Sequence, residues 1–148
     1  MNKIIRKIQY SEKVYRFDVE APLIAKSRKA GNFVIIRVDA NSERMPLTIA
    51  DADIEKGTIT LVVQKVGLSS TKLCNLNEGD EIHDVVGPLG NPTHIENFGT
   101  VLCAGGGVGV APMLPIIKAL KAAGNRVLSV IAGRSKDLVI MEDEVRAS

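Results

Sequence analysis

The sequence predicts two units in tandem: an all-β six-stranded antiparallel barrel over residues 1–97, then the first part of an α/β parallel-sheet domain over 98–148. Three observations carry that prediction. The chain holds 31 Val and Ile but only five aromatics (Tyr10, Tyr15, Phe17, Phe33 and Phe98), a β-branched excess that favours strands. Short apolar runs separated by turn residues follow one another up to about residue 97. From Gly99 the pattern becomes strand, glycine run, helix and strand, which is a βαβ unit.

Six runs are expected to form the barrel strands: Lys3 to Tyr10, Lys13 to Glu20, Asn32 to Val38, Met45 to Ala50, Thr58 to Val66 and Glu81 to Val86. Alternation is clearest in the second, where Tyr15, Phe17 and Val19 share one face and Val14, Arg16, Asp18 and Glu20 the other. Ala21-Pro22, Ala30-Gly31, Lys56-Gly57 and Gly87-Pro88 read as breaks between strands. One helix is expected in this region, over Ser70 to Leu76, with Ser69 or Ser70 available as its cap.

In the second unit, Thr100 to Ala104 is a continuous apolar run, the pattern of a parallel strand buried on both faces. Ala111 to Ala123 follows as a helix with Leu114, Ile117 and Leu120 on one stripe and Gly124 as its stop. Pro112 suits the first helical turn, whereas Pro115 implies a helix regular only beyond it. Arg126 to Ala132 is a second strand, and Leu138 to Arg146 is expected to begin a second helix. One and a half βα repeats do not complete a doubly wound sheet, so the chain reads as truncated relative to a whole domain.

Charge and composition narrow the function. The 19 Lys and Arg nearly balance the 17 Asp and Glu, and no basic cluster stands out, so nucleic acid is not expected as a partner. No apolar run approaches the ~18 residues of a membrane span, and the N-terminus is too polar for a signal peptide, so no membrane partner and a cytoplasmic location are expected. Cys74 and Cys103 are too few for a four-thiolate cluster, and His83 and His94 lack paired ligand spacing, so no metal site is expected. No Ser-His-Asp or paired-carboxylate arrangement is apparent, so no catalytic side chain is assigned.

The strongest chemical signal is the run Gly105, Gly106, Gly107, Val108, Gly109 between strand and helix. Such a turn places free backbone N–H groups and the positive end of the helix dipole at one point, suited to phosphate. No Lys-Ser or Lys-Thr follows, which excludes a P-loop, and the pattern that fits is G-x-G-x-x-P from Gly107 through Gly109 to Pro112. A plain tight turn without ligand is the alternative. After the second strand, Gly133, Arg134 and Ser135 stand where an acidic ribose anchor would be, and an Arg there tolerates a 2′-phosphate, so NADH and NADPH both stay open.

Four motifs occur in one order: Arg44-Met45-Pro46-Leu47-Thr48, Gly67-Leu68-Ser69-Ser70-Thr71, Gly87-Pro88-Leu89-Gly90 and Gly107-Val108-Gly109-Val110-Ala111-Pro112. In that order they resemble ferredoxin–NADP reductase-like flavoproteins. Within that family the chain is most similar to the small FAD subunit of NADH-dependent ferredoxin–NADP reductase and to the dihydroorotate dehydrogenase electron-transfer subunit. The resemblance implies an FAD-binding barrel and an adjoining NAD(P)-binding domain. It also implies hydride transfer from NAD(P)H to FAD, then electrons passed to a larger catalytic or iron–sulfur subunit or to a ferredoxin. A [2Fe–2S] cluster would belong to a C-terminal part outside this chain. A free-standing flavin or flavodoxin reductase is the second reading, and a non-catalytic β-barrel binding module the third.

By that resemblance the FAD positions are Arg44, Pro46, Leu47, Thr48, Gly67, Ser69, Ser70 and Thr71, and the dinucleotide positions are Gly105, Gly106, Gly107, Val108, Gly109, Pro112, Arg134 and Ser135. Arg44 also reads as a solvated loop charge, and Ser69, Ser70 and Thr71 as helix-capping residues. The family's P-G-Q-F stands here as Ala30-Gly31-Asn32-Phe33. Leu47 stands where many relatives place Tyr, so stacking on a ring would have to be aliphatic.

Overall fold

The computed structural model describes residues 2–148. Six antiparallel strands form the first unit: β1 (Ile4–Gln9), β2 (Val14–Glu20), β3 (Phe33–Arg37), β4 (Met45–Asp53), β5 (Thr58–Gln64) and β6 (Asp84–Leu89), in the order β1-β2-β5-β4-β3-β6. Strand β4 joins the two halves, pairing through Met45–Thr48 with β3 and from Ile49 onward with β5. The ends of the order meet through a bridge between Lys3 and Glu81, supported by Ile4 N–H to the Asp80 carbonyl at 2.8 Å and Ile82 N–H to the Asn2 carbonyl at 3.0 Å. Inside, Phe17, Val19, Val34, Ile36, Ile59, Leu61 and Leu73 are buried in one cluster.

Two helices punctuate the barrel, α1 (Pro22–Ser27) and α2 (Leu68–Cys74). The first was not expected, because Ala21-Pro22 reads as a break. Pro22 instead opens the helix, where its missing N–H costs no bond, and Ile24 and Ala25 bury against the core. Helix α2 begins two residues ahead of the expected Ser70, with Gly67 as its cap. Strand β6 starts at Asp84 and runs through Gly87-Pro88 rather than stopping there. A proline is tolerated because β6 ladders only with β3 among the described residues, and the ladder is irregular between Phe33 and Ile35.

The second unit is a parallel pair, β7 (Thr100–Gly106) and β8 (Arg126–Ala132), crossed by α3 (Val110–Ala122) and followed by α4 (Glu142–Ala147). Short 3₁₀ turns occupy 107–109 and 136–138, so the expected helix over Leu138 to Arg146 is confined to its second half. Pro115 lies inside α3, which is already helical from Val110. The bond it forfeits, to the Ala111 carbonyl, is one of many, and the buried side chains of Val110, Leu114, Ile117 and Leu120 hold the turn.

Burial of β7 and β8 differs from the expectation of two covered faces. One face packs under α3, while Leu102, Leu128 and Val130 on the other are 65%, 45% and 52% exposed. Helix α3 also touches the barrel: Val110, Ala111, Leu114 and Ile117 share a core with Val14, Ala50 and Val62 of β2, β4 and β5. Strand β5 is therefore buried on both faces from Thr58 to Val63. Around that shared core, Lys118 bonds Asp51 at 2.7 Å and Tyr10 donates to Glu144 at 2.7 Å. No helix is long and apolar enough to cross a membrane among the described residues.

Candidate functional site

The barrel brings the first two motifs together at one end of β4 and β5. The antiparallel ladder, which begins at Ile49 opposite Leu61, directs the start of β4, just after Arg44, and the end of β5, just before Gly67, toward the same end of the barrel, although Met45–Thr48 themselves pair with β3. A tie reinforces this: Lys72 Nζ of α2 reaches Asp39 Oδ2 at 3.1 Å and Ser42 Oγ at 3.3 Å in the loop that leads to Arg44. Hydrogen bonds from Ser42, Lys72 and the Asn41 N–H push the Asp39 carboxyl down to about 2, so this anchor stays ionised. Arg44 itself is exposed and has no ion-pair partner among the described residues. Its charge is available to a ligand rather than spent on the fold.

The hydroxyls of the second motif divide. Ser70 is buried, accepts from the Val66 and Gly67 N–H groups at 3.0 and 2.9 Å, and donates to the Gly67 carbonyl at 3.1 Å. A hydroxyl has one proton and two lone pairs, so Ser70 is saturated. That hydroxyl is committed to shaping the turn. Ser69 and Thr71 are half-buried with no side-chain bond among the described residues. In the first motif Leu47 leans on the barrel core, leaving Pro46 and Thr48 on the opposite strand face.

The glycines separate by what a Cβ would meet. At Gly67 and Gly109 it would enter open space, and neither backbone needs glycine, with φ of −149° and −63°. Gly67 caps α2, a position that Ser, Thr, Asp or Asn fills at least as well, and at Gly109 no feature of the fold explains glycine. Gly106 meets nothing closer than the Ala132 carbonyl oxygen at 3.8 Å. Gly107 takes φ +56°, which alone calls for glycine. Gly105 is a packing glycine, its virtual Cβ 3.2 Å from Met113 Sδ and 3.3 Å from the Gly109 carbonyl oxygen. At Gly133 a Cβ would lie 2.8 Å from the Leu138 backbone, so that glycine too is structural.

Gly106 and Gly107 face a cleft of about 740 Å³, and Gly109 lies just beyond its lining at the start of α3. Gly106, Gly107 and Val108 form one wall, Gly133 and Arg134 another, and Gln64 with the Ser11–Val14 hairpin of the barrel closes it. Val108 also packs against the shared core, whereas Pro112, in the first turn of α3, and Ser135 lie outside the cleft lining. Gln64, Ser11, Glu12 and Lys13 were missed by the motif reading; the only signal was the two-residue gap between the first two expected strands.

Burial raises both thiols, Cys74 in α2 and Cys103 in β7, with nearby Lys65 and Lys7 partly opposing it at Cys74. They lie in separate elements, and no group of three His, Cys, Asp or Glu able to hold a metal occurs among the described residues. The candidate site gathers features of the kind that suit anionic ligands: an unpaired Arg44, open glycines at two helix starts, and a cleft edged by Arg134.

No family model matches the chain. It is 47% identical over 146 residues to a dihydroorotate dehydrogenase B (NAD(+)) electron transfer subunit homolog of Thermotoga maritima, covering 99% of this chain and 52% of that protein. It is 42% identical to an uncharacterized protein of the adh 3′ region of Clostridium beijerinckii, covering 98% of this chain and 51% of the other. Among solved structures, one described for flavin-based electron bifurcation by the NADH-dependent reduced ferredoxin–NADP oxidoreductase matches with TM-score 0.94 and 48% identity, over 98% of this chain and 52% of that one. Phthalate dioxygenase reductase shares the fold at TM-score 0.80 and 23% identity, over 97% of this chain and 46% of that one. The chain spans about half the length of the relatives it matches. The resemblance read from the four motifs therefore holds: the chain has the ferredoxin–NADP reductase-like fold and is similar in sequence, along nearly all its length, to a dihydroorotate dehydrogenase B electron transfer subunit homolog.

Proposed function

We propose that the chain binds FAD on its barrel and NADH or NADPH in the cleft of its second unit, as part of an oxidoreductase electron-transfer subunit. The observation that carries this reading is the pair of glycines, Gly67 and Gly109, whose missing Cβ leaves open space that the fold does not require. Each sits at a helix start beside a candidate ligand surface, as expected where a diphosphate comes close to backbone. The similarity to a dihydroorotate dehydrogenase B (NAD(+)) electron transfer subunit homolog and to an NADH-dependent reduced ferredoxin–NADP oxidoreductase supports it.

The residues fit the two cofactors as follows. Arg44 supplies a planar cation to the flavin diphosphate, with Gly67, Ser69 and Thr71 at the start of α2 and Ser70 shaping that turn. Pro46, Leu47 and Thr48 provide the strand against which the ring system lies. Gly106, Gly107, Val108 and Gly109 receive the dinucleotide diphosphate, Gly105 and Pro112 fix the strand-to-helix turn, and Arg134 and Ser135 border the adenosine end. When bound, the cofactors supply hydride transfer followed by one-electron steps; the chain holds and orients them. We infer that electrons leave to a larger catalytic or iron–sulfur subunit or a ferredoxin, that any [2Fe–2S] cluster is held outside the described residues, and that the setting is cytoplasmic.

The visible spectrum of the purified chain after incubation with FAD tests the reading. A retained flavin band, released as FAD on denaturation, is expected, and Arg44→Ala should weaken retention by ~1.5–3 kcal/mol through loss of charge-assisted bonds. A chain that stays colourless, or that releases FMN, would overturn it; the colourless outcome would leave a binding barrel.

A further inference from the structure

We propose that Lys13, on the β1–β2 hairpin of the barrel, is a phosphate-binding residue of the dinucleotide cleft. The proposal deepens the reading above and rests on it. From Gly105 to Ile117 the second unit contains no charged side chain, although this is the stretch that would receive a diphosphate. Backbone N–H groups and a helix dipole alone leave much of that charge uncompensated. The cleft has two cations on its walls, Arg134 from the second unit and Lys13 from the barrel, with Glu12 as its acid.

Neither cation has an ion-pair partner among the described residues. Other cations at the junction of the two units are compensated: Arg16 by Asp18, and Arg28 and Lys118 by Asp51. Lys13 is also held in place. The Tyr10 and Ser11 N–H groups close the hairpin on the Val14 carbonyl at 2.9 and 3.3 Å, and the Lys13 carbonyl accepts from Lys65 N–H at 2.7 Å. The next residue, Val14, is buried in the same core as Val110, Ala111 and Ile140 of the second unit. Alternation along the strand then turns the Lys13 side chain away from that core, and it borders the cleft. Its backbone is anchored beside the cleft, so the ordering cost of the contact is confined to the side chain.

Calorimetric titration of the FAD-supplemented chain with NADH and with NADPH tests this. Lys13→Gln should raise Kd about fivefold to tenfold, Lys13→Arg should restore it, and the remaining binding should depend less on salt. Flavin content should not change in either variant, and Lys26→Gln, an equal change in net charge on α1, should bind as the parent does. Equal losses for NADH and NADPH place Lys13 on the diphosphate, while loss with NADPH alone places it on the 2′-phosphate. Unchanged binding in Lys13→Gln overturns the proposal and leaves the dinucleotide reading standing. A parent chain that binds neither nucleotide overturns the dinucleotide reading, and this proposal with it.

Discussion

The barrel and the second unit solve the burial problem differently. The barrel wraps six strands around a cluster that includes Phe17, Val34, Ile36, Ile49 and Leu61, each at most 1% exposed, and needs no neighbour to exclude water. The described part of the second unit is a two-stranded sheet with α3 across one face and the short α4 beside it, too thin to enclose a core. It borrows a wall: the outer faces of β2, β4 and β5 supply Val14, Ala50 and Val62 to the cluster around α3. Helix α3 is thus sandwiched between two sheets of different units. The glycine turn at its N-terminus is consequently positioned by the barrel as well as by its own strand, which is what the proposed site for two cofactors would require.

The largest expected effect comes from breaking that asymmetry. Phe17→Ala should cost ~3–5 kcal/mol, because a fully buried ring leaves a cavity in a closed core. Both units should lose protection together in hydrogen exchange, since the second leans on the first. Leu114→Ala, buried in the shared core, should cost ~2–5 kcal/mol but release chiefly α3, β7 and β8 while β1 to β6 stay protected. Equal loss of protection across both units in Leu114→Ala would show one cooperative block and remove the distinction.

A smaller effect tests the polar tie between the units. Tyr10 donates to Glu144 of α4 at 2.7 Å, and Arg16 approaches both Tyr10 and Glu144 at 3.4 Å while gripping Asp18. Burial, and next the Glu144 carboxylate, push the Tyr10 phenol up to about 12 from its ordinary 10.0. The folded chain then holds this proton more tightly than the unfolded one, so its contribution is complete below pH 10.0 and is lost as pH rises toward about 12. Tyr10→Phe should lower stability at pH 8 by about 1 kcal/mol. The gap to the parent should close between pH 10.0 and about 12 in urea titrations. A gap that stays constant would mean that the phenol titrates freely.

The same contrast explains what was legible in the sequence. Barrel strands announced themselves through alternation, and the register of β2 against β5 follows from Phe17 and Leu61 facing inward. Motif order pointed to the fold family because four short motifs, each weak alone, follow one another along most of the chain. What was not legible depends on the join. Continuous apolarity in β7 read as burial on both faces, yet Leu102 and Val130 are open and β5 is the strand covered twice. Ser70 could not be told from a ligand residue without its three bonds, and Lys13 reaches the cleft only because Val14 docks into the other unit.

The smallest expected effect on stability separates glycines kept for folding from glycines kept for ligands. Gly67→Ala and Gly109→Ala place a methyl in open space at ordinary φ, so reduced unfolded-state entropy, worth ~0.4–1 kcal/mol, opposes a slightly poorer helix start. Net stability should move by less than ~0.5 kcal/mol. Gly107→Ala, at φ +56°, should cost ~1–2 kcal/mol because L residues are strained there. Binding should invert that ranking for the open pair: Gly67→Ala should weaken FAD retention and leave NADH affinity alone, and Gly109→Ala should do the reverse. Thermal melts paired with flavin release and NADH titration measure both axes on the same preparations. If either alanine destabilises the chain by more than ~1 kcal/mol while its ligand binds as before, that glycine serves the fold, and its half of the cofactor assignment loses its support.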